Sequence, residues 1–268
     1  MSEGDIFENF LKKFKSFHAE FLGFLENEES TDEKFQNLIR LLKETKIQDC
    51  EHELRLFLHM LVEVSNNHYR GPNFFNKIEQ ILQFFKDDIK MYSNKEIFNI
   101  FKSNKRILLY LIEEKILIID EYLAKKMTNN NFLNKKYPQY FAPEIKPFIN
   151  PKWFPKDEFD IYFKPNEFVE EIKKELPANF YELRKKGENN SYLCKLIRED
   201  SIQEFSAYIT RRNILPDAVI DQSIYETNPL LLEMQSNPTP NVQMIEYAAF
   251  FGSIKIINYL YNKVKLRD

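Results

Sequence analysis

The sequence predicts an all-α fold of stacked antiparallel helix pairs, a helical solenoid, with a proline- and aromatic-rich extended segment in its middle. Three observations carry this prediction. Apolar residues recur at three- and four-residue steps through the first 127 positions, the period of a helix with one buried face. Seven of the 12 prolines fall together between Pro138 and Pro177, where a long helix is forbidden. The last third of the chain carries one helix–turn–helix pattern twice.

The first helix spans about residues 5 to 26, where Ile6, Phe10, Phe14, Phe17, Phe21 and Phe24 share a face. The run Ser30-Thr31-Asp32-Glu33 then reads as a capping box. Its serine hydroxyl accepts from the N–H of Glu33 while the glutamate reaches back. The helix it opens carries Phe35, Leu38, Ile39 and Leu42 as an apolar stripe. A third helix covers roughly 49 to 65 and a fourth 73 to 91. A second capping box, Ser93 to Glu96, starts a short helix that breaks near Ser103. The apolar run KRILLYLIEE and a further helical stretch then extend to about Lys126.

Between residues 128 and 165 the composition changes. Prolines at 138, 143, 147, 151, 155 and 165 alternate with aromatics, Trp153 among them. Each proline lacks an N–H and disfavours helix in its predecessor, so the expected structure is an extended strap packing its rings onto the helices. Short helices return at about 166–175 and 178–186 before a turn at KKGENN. The expected organisation is a helical region 1–127, the strap 128–165, and helical repeats 166–268.

The repeat is clearest at the end. Ile245, Ala248, Ala249, Gly252, Ile256, Ile257 and Leu260 mark it. The alanines let two helices approach closely, and Gly252 supplies the left-handed residue that turns the chain back. Leu193, Leu196, Ile197, Asp200, Ile202, Phe205 and Tyr208 repeat the pattern 52 residues earlier, as 245 − 193 shows. A loop insertion with a short helix separates the copies, and a fainter echo places Ser103 at the turn.

This pattern resembles an ankyrin repeat, whose line is T-P-L-H-x-A-A-x-x-G-H-x-x-I-V-x-x-L-L and whose period is about 33 residues. The departures are Gln243 and Met244 in place of Thr-Pro, Glu246 in place of His, and Ser253 after the glycine. The runs IFKSNKRILLYLIEEKILIID, YFAPEIKPFI, KKGENNSYLCKLIREDSI, SIYETNPLLL and IEYAAFFGSIKIINYL resemble the N-terminal domain of unknown function in the expanded ankyrin-repeat families of parasitic protists. The resemblance implies a protein-binding adaptor without enzymatic activity. It also implies that further repeats follow in the family pattern. An uncapped last repeat, with Ile256, Ile257 and Leu260, is then expected to self-associate.

Composition and motifs narrow the chemistry. The chain is 43% apolar and 29% charged with a formal charge of −3, the range of a soluble globular protein without a basic excess for nucleic acid. The abundance of Phe, Tyr, Lys, Asn and Ile reads as a biased codon pool. Two distant cysteines, Cys50 and Cys194, fit a reducing compartment. No secretory signal or apolar run long enough for a membrane span is read, so a cytoplasmic location is expected. His52 and His59 lie seven residues apart, about 10 Å along a helix, too far to share one metal ion. The five glycines never cluster into a phosphate-binding loop. No catalytic residue, metal ligand or cofactor site is expected.

The candidate protein-binding residues are Phe250 and Phe251, with the matching upstream positions Arg198 and Glu199 as a polar rim. Positions between the alanine pair and the glycine vary among such repeats, and exposed aromatics there act as interface anchors. The competing reading packs both rings against a neighbouring repeat. An RNA-binding helical repeat is the alternative function. Lys102, Lys105, Arg106, Lys185, Lys186, Arg211 and Arg212 would then converge on one face.

Overall fold

Among the described residues every regular element is helical, and the β-type pairing is a single bridge between Val219 and Gln243. The computed structural model describes residues 3–26, 32–68, 70–71, 73–128, 137–149, 174–228, 231 and 242–265. The chain divides into two compact units, Met1–Tyr92 and Ser93–Asp268.

In the first unit, α1 (Glu3–Glu26) packs on α2 (Asp32–Thr45) and on α4 (Phe74–Phe84). The phenylalanine stripe of α1 does what its period predicts. Phe17, Phe21 and Phe24 are buried. Phe17 meets Phe57 of α3 (Glu51–Asn67) edge-on at 4.6 Å, and Phe57 meets Phe85 at 4.9 Å. Each such ring stabilises the fold by about 1.5–3 kcal/mol of transfer free energy. The last turn of α1 carries no basic residue, yet its carbonyls need donors. Lys77 of α4 supplies one: its Nζ donates to the Leu25 carbonyl at 3.0 Å and lies 5.6 Å from the Phe24 ring. Burial, and then the nearby Lys34 charge, lower the Lys77 pKa.

The helix expected over 73–91 bends at Phe85, after which α5 (Lys86–Ile89) continues. The hydrogen bonds run through the bend, from the Phe85 N–H to Ile81 and from the Ile89 N–H to Phe85. Full burial of the Phe85 ring fixes the local geometry. The capping box at Ser30 lies outside the described residues.

The second unit begins with the capping box at Ser93. The Ser93 hydroxyl accepts from the Glu96 N–H at 3.3 Å, and the glutamate accepts from the Ser93 N–H at 3.0 Å. It opens α6 (Asn94–Phe101), and Asn104 caps α7 (Lys105–Glu113) through the Ile107 N–H. The turn between them departs from the expected echo. Ser103 does not take a left-handed conformation; that geometry appears later, at Lys115, where α7 ends. After it comes α8 (Glu121–Thr128), whose first turn is capped by Asp120.

The proline-rich segment is helical where it is described over 137–145, not extended. It forms two short turns, α9 (Tyr137–Tyr140) and α10 (Ala142–Ile145). Pro138 and Pro143 sit in the first turns, where a missing N–H costs no helical hydrogen bond. Their aromatics do pack inward: Tyr137, Tyr140 and Phe141 are buried. Trp153, and nearly all of the helix expected at 166–175, lie outside the described residues.

α11 (Phe180–Lys186) ends at Gly187, whose φ of +68° provides the left-handed stop. Three carbonyls at this end receive donors from distant parts of the chain. The Tyr140 hydroxyl donates to Arg184 (2.9 Å), Arg106 to Lys185 (2.7 Å) and the Thr227 hydroxyl to Gly187 (2.8 Å). Arg184 answers Tyr140 by donating to its carbonyl (3.2 Å) and to Glu144 (2.7 Å). Lys105 reaches the Ile224 carbonyl at 3.2 Å. These links pin α7, α9–α11 and the segment around residue 225 into one body.

Candidate interaction surface

Two hairpins complete the second unit. The first is α12 (Tyr192–Arg198) with α13 (Ile202–Arg212); the second is α14 (Met244–Phe250) with α15 (Ile254–Lys265). Their boundaries at 192, 198, 202 and 244, 250, 254 keep the 52-residue offset at all three corners. First helix packs on first helix, and second on second. Residues 213–228 of the intervening insertion are irregular and contain no helix.

The turns repeat bond for bond. Asp200 (φ +47°) and Gly252 (φ +66°) are both left-handed. The Ser201 N–H donates to the Leu196 carbonyl at 3.1 Å, and the Ser253 N–H to the Ala248 carbonyl at 2.9 Å. These are the long closing bonds of a Schellman turn. Aspartate tolerates the left-handed region better than most residues, so the pattern survives without glycine. It also gains a function glycine lacks. The Asp200 carboxylate accepts from the N–H groups of Lys255 (3.2 Å) and Ile256 (3.0 Å), capping α15 from the neighbouring hairpin. The Ser253 hydroxyl returns the link by donating to the Ile197 carbonyl at 2.5 Å.

A buried polar cluster joins the hairpins to the insertion. Arg198 Nη1 donates to the Tyr247 hydroxyl (2.7 Å) and the Asn189 carbonyl (2.9 Å), while its Nε pairs with Glu188 at 3.0 Å. Glu226, 2% exposed, accepts from the N–H groups of Asn189, Thr227 and Asn228 at 2.9–3.1 Å. Burial pushes the Cys194 thiol up from 9.0 to about 11, against weaker opposing effects of Ser191 and Arg198. It raises the Tyr247 hydroxyl as well.

The structure brings Arg198 and Phe251 together, the guanidinium lying 5.9 Å from the ring centroid. Phe251 is 7% exposed and packs on Tyr247 at 4.8 Å, so it is a core residue and not an exposed anchor. The cause is the short α14, which ends at Phe250 and turns the Phe251 ring inward at the cap. Phe250 is half-buried, edge-on to Phe251 at 5.0 Å. Arg198 is largely spent on the polar cluster, whereas Glu199 stands exposed beside Lys195 at 3.8 Å. Of the expected self-association residues, Ile256 and Leu260 are fully buried, because they form the inward face of α15 against α13. Ile257 is half-buried.

The basic residues named for RNA do not form a free set. Lys105 and Arg106 are buried and bound to carbonyls, while Lys185 pairs with Glu113 and Lys186 with Glu182. His52, His59 and Cys50 are all exposed in the first unit. Among the described residues no group of three His, Cys, Asp or Glu is placed to hold a metal ion, and no helix is long and apolar enough to cross a membrane. Sequence reasoning missed Asp200, Glu226 and the roles of Arg184 and Arg198. Only Asp200 left a signal, an aspartate at the offset of a turn glycine. No family model, curated protein or solved structure matches this chain.

Proposed function

We propose that this chain is a non-enzymatic protein–protein interaction module, an adaptor of divergent ankyrin-repeat type that works in the cytoplasm by presenting a helical-repeat surface to a protein partner. The observation that carries the reading is the 52-residue register between the two hairpins, kept through helix boundaries, left-handed turns and closing hydrogen bonds. Stacked hairpins of this kind offer extended side-chain surface without needing a pocket. The ankyrin kinship and the likeness to the protist families rest on the sequence resemblance. The RNA-binding alternative has less support, since four of its seven cations are engaged within the fold.

The test is photo-cross-linking in lysate of the source cell. A cross-linking residue replaces Glu199, exposed at the end of α12, or Met91 in the first unit, 87% exposed, as the control. A saturable protein adduct at position 199 and none at position 91 is the expected result. Adducts equal at both positions, or a nuclease-sensitive adduct at 199, would overturn the reading.

A further inference from the structure

The register between the hairpins supplies an internal standard for burial. On the first hairpin, Ile197, Phe205 and Ile209 are 0%, 0% and 3% exposed. The second hairpin is what covers them, as the packing of α12 on α14 and α13 on α15 shows. The same three positions on the second hairpin are Ala249, Ile257 and Tyr261. There Ala249 is exposed, Ile257 half-buried and Tyr261 59% exposed. Ile254, 61% exposed, lies three residues before Ile257 and seven before Tyr261, so the three form one stripe along α15.

The opposite end of the stack has different chemistry. Met244, Ile256 and Leu260 are fully buried against the first hairpin. Their register equivalents on that hairpin's own outer side are Tyr192, Glu204 and Tyr208. Tyr192 is 50% exposed and its hydroxyl lies 3.4 Å from the Glu204 carboxylate. One end of the stack is therefore finished with polar groups, and the other presents isoleucine and tyrosine. Charge also distinguishes the apolar end. α15 carries Lys255, Lys263 and Lys265, all exposed, and no acidic residue.

We propose that the outer face of α14–α15 is a docking site for a two-helix hairpin of a separate protein, apolar along its seam and acidic on its flanks. This rests on the interaction-module reading above and names the partner's chemistry. The face continues the interface already built between the hairpins. There a seam of Met244, Ala248, Ile256 and Leu260 seats on Ile197, Phe205 and Ile209. A second copy of this chain fits less well. Head-to-tail pairing would bury the Glu204 carboxylate against Ile257 without a partner, a costly desolvation. Face-to-face pairing would set the lysines of α15 against themselves. An acidic hairpin meets both the stripe and the charge.

The experiment titrates a synthetic, disulfide-closed helical hairpin into the full chain by calorimetry. Its seam copies the side chains of Met244, Ala248, Ile256 and Leu260, and its flanks are Glu; a matched hairpin has Lys flanks. The Glu hairpin is expected to bind at least about tenfold more tightly than the Lys hairpin, with the ratio shrinking as salt is raised. The double variant Ile254→Asp, Tyr261→Asp changes two mostly exposed side chains and should melt with the parent. It is expected to weaken binding of the Glu hairpin at least about tenfold. Equal binding of both hairpins, undiminished binding to the double variant, or no binding at all would overturn the proposal. So would a dimer in light scattering that the double variant abolishes, since that assigns the face to a second copy. The adduct at position 199 is read separately. If it persists while neither hairpin binds, the docking proposal fails and the module reading stands.

Discussion

The two units bury different chemistry. The first is held by a ladder of rings, Phe21, Phe17, Phe57 and Phe85, with Lys77 bound to a helix carbonyl at its edge. The second also has an apolar core, but threads it with ionic and amide groups: Arg106, Arg184, Arg198, Asn189 and Glu226, each tied to a partner far along the chain. A ring ladder tolerates sliding and repacking, because dispersion and burial are non-directional. A buried polar network does not, because each donor must meet one acceptor. The unit that carries the repeats is thus the one whose geometry is most tightly specified.

The sharpest way to break this contrast is to truncate the centre of each unit. Phe57→Ala removes a fully buried ring that touches both Phe17 and Phe85, and should cost about 3–5 kcal/mol. Hydrogen exchange should show the loss of protection concentrated in residues 3–92. Equal loss across residues 93–265 would mean that the two units do not unfold separately. Arg184→Met keeps the side-chain volume but strands the Glu144 carboxylate and the Tyr140 carbonyl, at a cost of about 3 kcal/mol. Its exchange signature should fall in the second unit. A loss under about 0.5 kcal/mol would show that the pair is as dispensable as a surface bridge.

Alkaline pH separates the units by sign. In the second unit Cys194 is raised from 9.0 to about 11, and Tyr137, Tyr140 and Tyr247 are also raised, burial being the first cause in each. A group raised on folding stabilises fully below its unfolded value, and that stability is lost as pH climbs through the folded value. The second unit should therefore weaken between pH 9 and about 11, with Cys194 alone contributing about 2–3 kcal/mol of the loss. In the first unit Lys77 is lowered, so the unfolded chain holds the extra proton and stability rises toward pH 10.5. Urea midpoints followed by exchange at pH 8, 9 and 10 would test this. A parallel decline in both units would contradict it. Cys194→Ala should flatten the slope in the second unit alone.

How much of this was legible in the sequence follows from the range of each interaction. The ring ladder announces itself, because Phe14, Phe17, Phe21 and Phe24 keep a helical period within one element. The hairpin register was legible for the same reason, being a pattern compared with itself. The polar network was not. Arg184 finds Glu144 40 residues away, Arg198 finds Tyr247 49 away and Glu226 finds Asn189 37 away, and no periodicity encodes such meetings. In a bare sequence these residues look like solvated charges. Pro138 and Pro143 misled for a local reason: a proline-rich run serves extended chain and the first turns of short helices equally well. Phe251 was misplaced because a pattern gives the position of a residue on a helix but not where the cap turns its ring.

The smallest expected effects are the most pointed, since they come from two glycines whose substitution should act with opposite signs. Gly23 lies within α1, has an ordinary helical φ and has nothing within 4 Å of where a Cβ would stand. Gly23→Ala should stabilise the first unit by about 0.5–1 kcal/mol, chiefly by restricting the unfolded chain. Gly252 also has open space around it, but its φ is +66°. Gly252→Ala should cost about 1 kcal/mol or slightly more, from backbone strain alone and not from crowding. Asp200 holds the same conformation in the first hairpin and offsets its strain by capping α15, so Gly252→Asn should recover part of the alanine loss. Thermal melts of the three variants decide the point. If Gly252→Ala matched the parent, the left-handed turn would not be what fixes the hairpin, and the bond-for-bond repetition at Asp200 would be a coincidence of packing.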